Sequence, residues 1–315
     1  ASAEQKPVPV NVVVREVEPL QIRYGLSYDT ERGPGGTFDI SRHNLFGGAR
    51  VIGLQARYDR QLKGVRLYIN QPALAFLPFK TTGTVYWRED LSPPSEITRA
   101  FTANRKGVSI QQEVELRDSY VWTWGYRWEH ARTLEPVGGV LIGDPLTVSP
   151  LTTTLTRETR DESMDATRGS FMSQAFAFSP GWLGSDLPYI KYFGQYFHYF
   201  PLQPPRRKPL TTEILRPRLV FATGVRLGLA QGIGGGDLIP RSERFFAGGS
   251  YSMRGFAQNA VGPIGPDLIP VGGNALFLLN NELRAPLFGR FDGVLFADIG
   301  NVFARISDIS FHLPD

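Results

Sequence analysis

The chain has 315 residues, with 34 glycines, 24 prolines and no cysteine, which excludes disulfide bonds and thiolate chemistry and predicts many turns between short elements. Its formal charge of +4 is spread along the chain rather than gathered in one block, so nucleic-acid binding is not expected. The longest purely apolar runs, such as residues 275–279, are far shorter than the roughly 18 residues of a membrane-spanning helix. A membrane β-barrel passes this test, because its strands need only about ten residues and alternate in polarity.

A β-branched run at residues 7–20 lies near the start of the chain and ends at Glu18 and Pro19. It is too short to be a domain, and it predicts an extra strand that leads into a larger sheet. Within residues 21–30, apolar or aromatic even positions alternate with polar or small odd positions. Residues 107–116, 120–130 and 219–230 repeat this period of two, which is the period of a strand and not of a helix.

This alternation predicts an all-β chain of about thirteen strands in antiparallel order. Tight connections such as 117–119 alternate with longer ones such as 233–271. Tight turns at one rim and long loops at the other are typical of transmembrane barrels. The predicted strands lie near residues 20–30, 36–47, 50–60, 62–74, 80–90, 99–116, 119–132, 148–161, 169–180, 188–202, 218–232, 272–288 and 291–303.

The two faces of these strands differ in a way that favours a membrane barrel over a soluble β-sandwich. One face is apolar and rich in aromatic side chains near the strand ends, as the interfacial girdle of a barrel is. The opposite face carries charges, which suit a wet lumen better than a dry core; they include Arg23, Arg127, Glu129 and Arg226. An arginine on the lipid side near mid-membrane costs about 2–4 kcal/mol, so we expect the charged face to point into the barrel.

The stretch RFFAGGSYSMRGF, residues 244–256, is called the signature loop below. A glycine-rich run beside Arg254 suggests a phosphate cradle, but the phosphate loop places Lys and Ser or Thr directly after its last glycine. Neither follows here, and no long helical pattern follows that would provide an anion site at its N-terminus. We therefore expect Arg254 to hold something other than a nucleotide.

Four stretches resemble the BamA/TamA family of outer-membrane assembly factors, also called bacterial surface antigens. Residues 10–33 resemble the last strand of a polypeptide-transport-associated (POTRA) domain that continues into the first barrel strand. Residues 40–51 are similar to the second strand with its tight turn, and residues 156–171 to a mid-barrel hairpin. The signature loop is the most specific match, because it has Met-Arg-Gly-Phe where the family has Val-Arg-Gly-Phe or Val-Arg-Gly-Tyr.

The resemblance implies a transmembrane antiparallel β-barrel in the bacterial outer membrane, with one long loop folded inward. Residues 1–19 would be the tail of a POTRA domain and its linker, and residues 20–315 would be the barrel. The family barrel has about sixteen strands, within the even-numbered range of such barrels. Since about thirteen are predicted here, we expect the C-terminal strands of the barrel to be lacking.

The resemblance also implies a partner for Arg254. In the family, the loop arginine pairs with acidic residues on the next two strands, and the matching positions here are Glu282 and Asp298. Alternation independently places both on the inward face of their strands. The alternative is a solvated Arg254, with Glu282 paired to Arg284. The other loop positions of this predicted site are Gly248, Gly249, Met253, Gly255 and Phe256. The three glycines among them let the backbone turn sharply.

The function that the resemblance implies is insertion or translocation of β-barrel client proteins, without an enzymatic reaction. Its partners would be outer-membrane lipid, unfolded client proteins and periplasmic accessory proteins. The first strand would be a pairing template for incoming strands, through Gln21, Ile22, Arg23, Tyr24, Gly25 and Leu26. Two alternatives stay open: a passive outer-membrane channel or surface antigen, and a barrel that anchors or exports an upstream enzyme domain such as a patatin-like lipase.

The sequence carries no motif for catalysis or metal binding. The four histidines are scattered, and neither HExxH nor the nucleophile elbow G-x-S-x-G occurs. Serines of the signature loop have no base nearby in sequence. We therefore predict that the chain is not an enzyme and uses no metal or other cofactor.

Overall fold

The structure is a computed structural model that describes residues 18–30, 32–72, 78–92, 101–134, 141, 144–203, 206–207, 214–215, 219–234, 239–266, 268, 270–288 and 291–310. The POTRA strand predicted within residues 1–19 lies, apart from Glu18 and Pro19, outside the described residues. None of the helices in the described part of the chain is long and apolar enough to cross a membrane.

Within the described residues the chain is almost entirely β-structure, with three single-turn 3-10 helices at Gly181–Leu183, Arg241–Glu243 and Ile306–Asp308. The strands are β1 (Leu20–Asp29), β2 (Gly33–Leu45), β3 (Arg50–Tyr58), β4 (Leu62–Gln71), β5 (Lys80–Ser92), β6 (Phe101–Glu115), β7 (Tyr120–Leu134), β8 (Leu146–Val148), β9 (Leu151–Glu158), β10 (Gly169–Ser179), β11 (Tyr189–Pro201), β12 (Arg206–Arg207), β13 (Ile214–Leu215), β14 (Val220–Gly232), β15 (Ala275–Phe288) and β16 (Phe291–Phe303).

Thirteen of these strands form one continuous antiparallel sheet in chain order, from β1 through β7, then β9 to β11, then β14 to β16. The short strand β8 pairs with β7, and β12 pairs only with β13. The all-β antiparallel architecture predicted from the alternation is confirmed, and twelve of the thirteen predicted segments each correspond to one strand of this sheet. β1 and β16 are its two edges, and among the described residues these two strands are not hydrogen-bonded to each other.

One predicted strand, residues 148–161, is divided in the structure. β8 ends at Val148 and β9 begins at Leu151. Pro150 lies between them and lacks the N–H group that a ladder needs, although its carbonyl oxygen still accepts a hydrogen bond from the Arg127 N–H at 3.1 Å. The proline therefore interrupts the strand without detaching it from β7.

The alternation separates an exposed apolar face from a face that points into the lumen. In β6, Ile110 is 50% exposed on the outside, while on the neighbouring strand the Glu129 side chain points inward and is only 1% exposed. At these positions the outer surface has the apolar character that hydrocarbon requires, and the charged side chain lies on the inner side.

This assignment of faces predicts opposite outcomes for two neighbouring substitutions in β6. Ile110→Arg places a cation on the lipid face and is expected to destabilise the folded barrel by about 2–4 kcal/mol. Gln111→Arg places the same cation on the lumen face and is expected to cost less than about 1 kcal/mol, as a solvated surface substitution does. Urea unfolding of each protein from phospholipid vesicles measures the difference, and equal costs would show that the two faces are not distinct.

The charged inner faces alone predict a lumen filled with water, but part of the interior is apolar and buried. A buried apolar cluster lies between the loop that follows β14 and the inner faces of several strands; it comprises Val148, Tyr189, Ala230, Ile239, Phe245, Ala247, Val261, Leu276, Leu278 and Val302. The cluster could not be predicted from the sequence, because half of its members lie in strands whose other inward positions are charged. Those charges indicate a wet lumen. Part of the lumen is therefore filled by a packed protein core.

Candidate functional site

The long loop, residues 233–274, joins β14 to β15, and its described residues, 233–234, 239–266, 268 and 270–274, fold back against the inner wall of the barrel. Its own backbone ties it into a compact unit, since Phe245 and Gly273 exchange hydrogen bonds at 2.9 and 3.0 Å. The Val261 N–H donates to the Ala247 carbonyl at 3.0 Å. Both Phe245 and Ala247 belong to the buried apolar cluster, so packing holds the loop inside the barrel and its backbone groups remain paired there.

Arg254, at the tip of the signature loop, lies between two carboxylates of the barrel wall. Its Nε and Nη2 donate to the two carboxylate oxygens of Asp298 at 2.8 and 2.7 Å, and its Nη1 donates to Glu282 at 2.7 Å. The backbone N–H of Arg254 also donates to Asp298 at 2.9 Å. The structure thus brings together the three residues that the resemblance pairs, in a geometry that uses the planar fork of the guanidinium.

The contacts of Arg254 bridge two neighbouring strands, because Glu282 lies on β15 and Asp298 on β16. Asp298 is nearly buried, with a side chain only 3% exposed, whereas those of Glu282 and Arg254 are 21% and 23% exposed. The guanidinium carbon lies 3.8 Å from the ring centre of Phe296, two residues before Asp298 on the same inward face. An arginine stacked on an aromatic ring and paired with two acids holds the loop tip in one orientation.

A second arginine and an asparagine support the cluster from β14 and β15. Asn280 donates from its side-chain amide to Asp298 at 2.8 Å and to the Ser252 carbonyl at 2.9 Å. Arg226 donates to the side chain of Asn280 at 3.0 Å and to the Tyr251 carbonyl at 3.2 Å. Residues on three successive strands therefore bind the backbone of the signature loop as well as its arginine.

Glu282 connects the signature loop to the loop between β9 and β10, residues 159–168, which is at the opposite rim and is called the hairpin loop. Its second carboxylate oxygen accepts hydrogen bonds from Arg284 at 2.9 and 2.8 Å. Arg284 in turn donates to the backbone carbonyl of Ala166 at 3.4 Å and lies 3.8 Å from Asp165. Glu282 therefore pairs with Arg284 in addition to Arg254, so the two pairings weighed as alternatives from the sequence coexist.

The remaining predicted loop positions have different surroundings. Met253 packs against the buried apolar cluster, whereas Phe256 is 51% exposed. Ser252, which the sequence identified only as a loop serine, closes the turn: its hydroxyl donates to the Gly248 carbonyl at 2.8 Å and accepts from the Gly248 N–H at 2.9 Å. Its role in the site is to shape the loop.

Alanine substitutions at Gly248 and Gly255 are expected to destabilise the folded loop to different extents. Both have positive φ angles, +117° and +88°, which disfavour any side chain. A Cβ at Gly248 would also collide with the Ala257 carbonyl oxygen, whereas a Cβ at Gly255 would meet nothing within 4 Å. We expect Gly255→Ala to destabilise the folded loop by about 1 kcal/mol and Gly248→Ala by at least about 2 kcal/mol. Hydrogen exchange of the loop amides measures both, and equal effects would contradict the collision.

A second ion cluster, which was not predicted from the sequence, holds the first part of the long loop. Glu243 accepts a hydrogen bond from Arg127 of β7 at 2.5 Å. Lys191 of β11 donates to the Glu243 carbonyl oxygen at 2.6 Å and lies 3.4 Å from its carboxylate. Arg127 also lies 3.5 Å from Glu129, which accepts from the Tyr86 hydroxyl at 2.5 Å. Alternation placed Arg127 and Glu129 inward, but a loop glutamate carries no periodic signal that would name it as their partner.

The electrostatic environment keeps Glu243 ionised although it is only 5% exposed. Burial by itself raises the pKa of its carboxyl group, but the charges of Arg127 and Lys191 reverse this effect and leave the pKa lowered. The acid therefore stays charged as a salt-bridged anchor. Together with Arg254, it fixes the long loop at two points on different sides of the barrel.

β1 carries the residues predicted as a pairing template. Its partner is β2, with Ile22 opposite Ile40 and Leu26 opposite Gly36. Arg23 lies 3.1 Å from Asp39 on the inner side. The outward side chains of Ile22, Tyr24 and Leu26 are strongly exposed. All six positions of the predicted template lie in this strand: Gln21, Ile22, Arg23, Tyr24, Gly25 and Leu26. The structure places the template at a sheet edge, and its role stays a prediction.

Within the ranges that the structure describes, no group of three or more His, Cys, Asp or Glu side chains could hold a metal ion. The carboxylates of the site, Glu282 and Asp298, are both engaged by arginines. What this arrangement of charges can do is hold a loop, because Arg254, Glu282 and Asp298 are paired with one another.

The Omp85 superfamily domain matches residues 44–311. The chain is 24% identical over 286 residues to the outer membrane protein assembly factor BamA of Nitratidesulfovibrio vulgaris, covering 87% of this chain and 33% of that protein. It is 24% identical over 291 residues to a SAM50-like protein of Schizosaccharomyces pombe, covering 88% of this chain and 56% of that protein.

Two solved structures have a similar fold. BamA from Haemophilus ducreyi lacking POTRA domains 1–3 superposes with a TM-score of 0.74 at 19% identity, over 91% of this chain and 58% of that one. CdiB from Acinetobacter baumannii gives a TM-score of 0.50 at 11% identity, over 90% of this chain and 50% of that one. The chain thus spans between 33% and 58% of the length of these four proteins.

The family match covers most of the chain, including both strands that bind Arg254, and the first of these structures has the same barrel architecture. The chain is therefore an outer-membrane β-barrel segment that belongs to the Omp85 superfamily.

Proposed function

We propose that the chain is the membrane-embedded part of a factor that inserts or translocates β-barrel client proteins at the bacterial outer membrane, without enzymatic chemistry. The observation that carries the proposal is the Arg254 cluster, in which a loop from one rim is held against β15 and β16 by Glu282 and Asp298. The same loop is held at a second point through Glu243, which contacts Arg127 and Lys191. The names of the similar proteins, an assembly factor among them, support the same role.

The proposed work is done by strand pairing. Antiparallel strand addition satisfies the backbone of an incoming segment and leaves its side chains free to vary, so a factor that acts in this way accepts many client sequences. β1 is the proposed template, through residues 21–26, because it lies at an edge of the sheet and presents apolar side chains to the lipid. In this account the long loop supports the barrel wall while pairing proceeds, and outer-membrane lipid and periplasmic accessory proteins are the other proposed partners.

Depletion of the full-length protein in its native cell tests this role. We expect the level of folded β-barrel proteins in the outer membrane to fall, while lipoproteins of the same membrane stay unchanged, because only barrels need strand pairing for insertion. Steady channel conductance in planar bilayers combined with unchanged barrel protein levels would instead support a passive channel. Loss of a secreted hydrolase, with barrel proteins unchanged, would support a barrel that exports an enzyme domain.

A further inference from the structure

A cavity of about 370 Å³ lies between the long loop and the inner faces of β4 to β7. The barrel contributes Arg88, Asp90 and Arg105 to its lining, and the loop contributes Arg241 and Gln258. Arg254, Glu282 and Asp298 do not line it. The cavity is therefore separate from the Arg254 cluster and borders the other side of the loop.

Cations dominate this cavity. Arg88 has a partner in Asp90 at 2.8 Å. Arg241 stacks on the Phe101 ring with its guanidinium carbon 4.5 Å from the ring centre, and donates to the Pro270 carbonyl. These contacts position two guanidinium groups from opposite walls, one on the barrel and one on the loop, around the same space.

Arg105 of β6 also lines the cavity, so a third guanidinium group borders the same space. Its charge acts on the carboxyl group of Glu243 as well and helps to lower the pKa of that group. An anion in the cavity would therefore meet guanidinium groups from both the barrel wall and the loop.

We propose that this cavity binds a phosphate-type anion. Guanidinium groups match the geometry of phosphate oxygens and bind them with paired hydrogen bonds. The volume lies within the range of small-molecule sites, about 300–1,000 Å³, so it holds a diphosphate or the phosphorylated head of a lipid. Residues of the turns after β1 and β3, Arg32 and Gln61, also line it, which places it near the rim where the long loop begins.

A bound anion would join the long loop to the half of the barrel wall that the Arg254 cluster does not reach. It would draw Arg241 of the loop toward Arg88 and Arg105 of β5 and β6 through shared oxygens. The anion would thus act as a third attachment of the loop, in addition to Arg254 and Glu243. This inference is independent of the proposed role in client assembly.

Calorimetric titration of the detergent-solubilised full-length protein with inorganic pyrophosphate tests the proposal. We expect saturable binding that Arg105→Gln weakens by at least about tenfold, the effect of losing one charge-assisted hydrogen bond. Arg66→Gln is the matched control, because Arg66 lies over Tyr68 elsewhere on the lumen wall and does not line this cavity. The control should bind within about twofold of the wild type. Arg241→Gln, on the loop side, provides a second variant if Arg105→Gln fails to fold.

The outcomes are distinct. Absence of saturable binding, or an equal loss in Arg66→Gln, would overturn the proposal, because the effect would then reflect the general charge of the lumen. Tighter binding of a glutamate-rich peptide than of pyrophosphate would also overturn it, in favour of a polypeptide ligand. Displacement of pyrophosphate by dihexanoyl phosphatidic acid, and not by dihexanoyl phosphatidylcholine, would identify a lipid head group as the source. Pyrophosphate binding that neither lipid displaces would identify a free phosphate compound.

Discussion

Replacing Arg254 by alanine is expected to release the signature loop from the barrel wall and to slow client assembly. The substitution leaves Asp298, which is nearly buried, and Glu282 without their shared cation. Breaking a buried ion pair in this way costs about 3–5 kcal/mol, which shifts the equilibrium between bound and released loop by about two to four powers of ten. Hydrogen exchange of residues 244–256 measures the release, and the folding rate of a client barrel in vesicles measures the function.

Two further variants show which property of Arg254 matters. Arg254→Lys keeps the charge but loses the fork that contacts both acids, so an intermediate loss of loop protection is expected. Arg60→Ala removes an exposed arginine from the turn between β3 and β4 and is the control, with no expected change. Rapid client folding by an Arg254→Ala protein whose loop exchanges freely would show that the loop is not needed for assembly.

Replacing Glu243 by glutamine is expected to free the first part of the long loop. The change keeps the shape of the side chain but removes the carboxylate that Arg127 and Lys191 both contact, and leaves Arg127 with Glu129. A loss of about 3–5 kcal/mol in the local opening free energy of residues 239–247 is expected. Hydrogen exchange measures it, and Glu115→Gln, an exposed acid at the end of β6, is the matched control.

The pH dependence of the loop provides an internal check on Glu243. Because its pKa is lowered in the folded state, its contribution is present in full above the ordinary value of 4.5 and is lost as pH falls below that value. The wild-type loop should therefore lose protection on acidification to a greater extent than the Glu243→Gln loop. A glutamine variant that retains the full pH dependence of the wild type would show that other groups titrate instead.

The strands could be predicted from the sequence because the alternation of apolar and polar residues within each strand follows directly from its two environments. Two environments, hydrocarbon and lumen, alternate along a strand such as β6 and give it a period of two that local inspection detects. Alternation reports which way side chains point and not whether the backbone can pair. It therefore continues across Pro150, which has no N–H group to donate, and does not predict the break between β8 and β9.

The site was predictable only in part, for a related reason. Arg254 and its two acids are named by the resemblance, and alternation supports the inward direction of Glu282 and Asp298. The contact of Arg127 with Glu243 joins residues 116 apart in the chain, and that of Arg284 with Ala166 joins residues 118 apart. Such contacts depend on how the long loop and the hairpin loop fold into the lumen, and neither loop has a periodic pattern that records its partner.

The central claim is that Arg254 and Asp298 act as one unit that holds the loop for client assembly. The most direct test is the rate of client folding in vesicles for Arg254→Ala, Asp298→Ala and the double variant. Since residues of one ion cluster are strongly non-additive, the account predicts that the double variant folds clients about as slowly as Arg254→Ala alone. A double variant slowed by the product of the two single effects would contradict it.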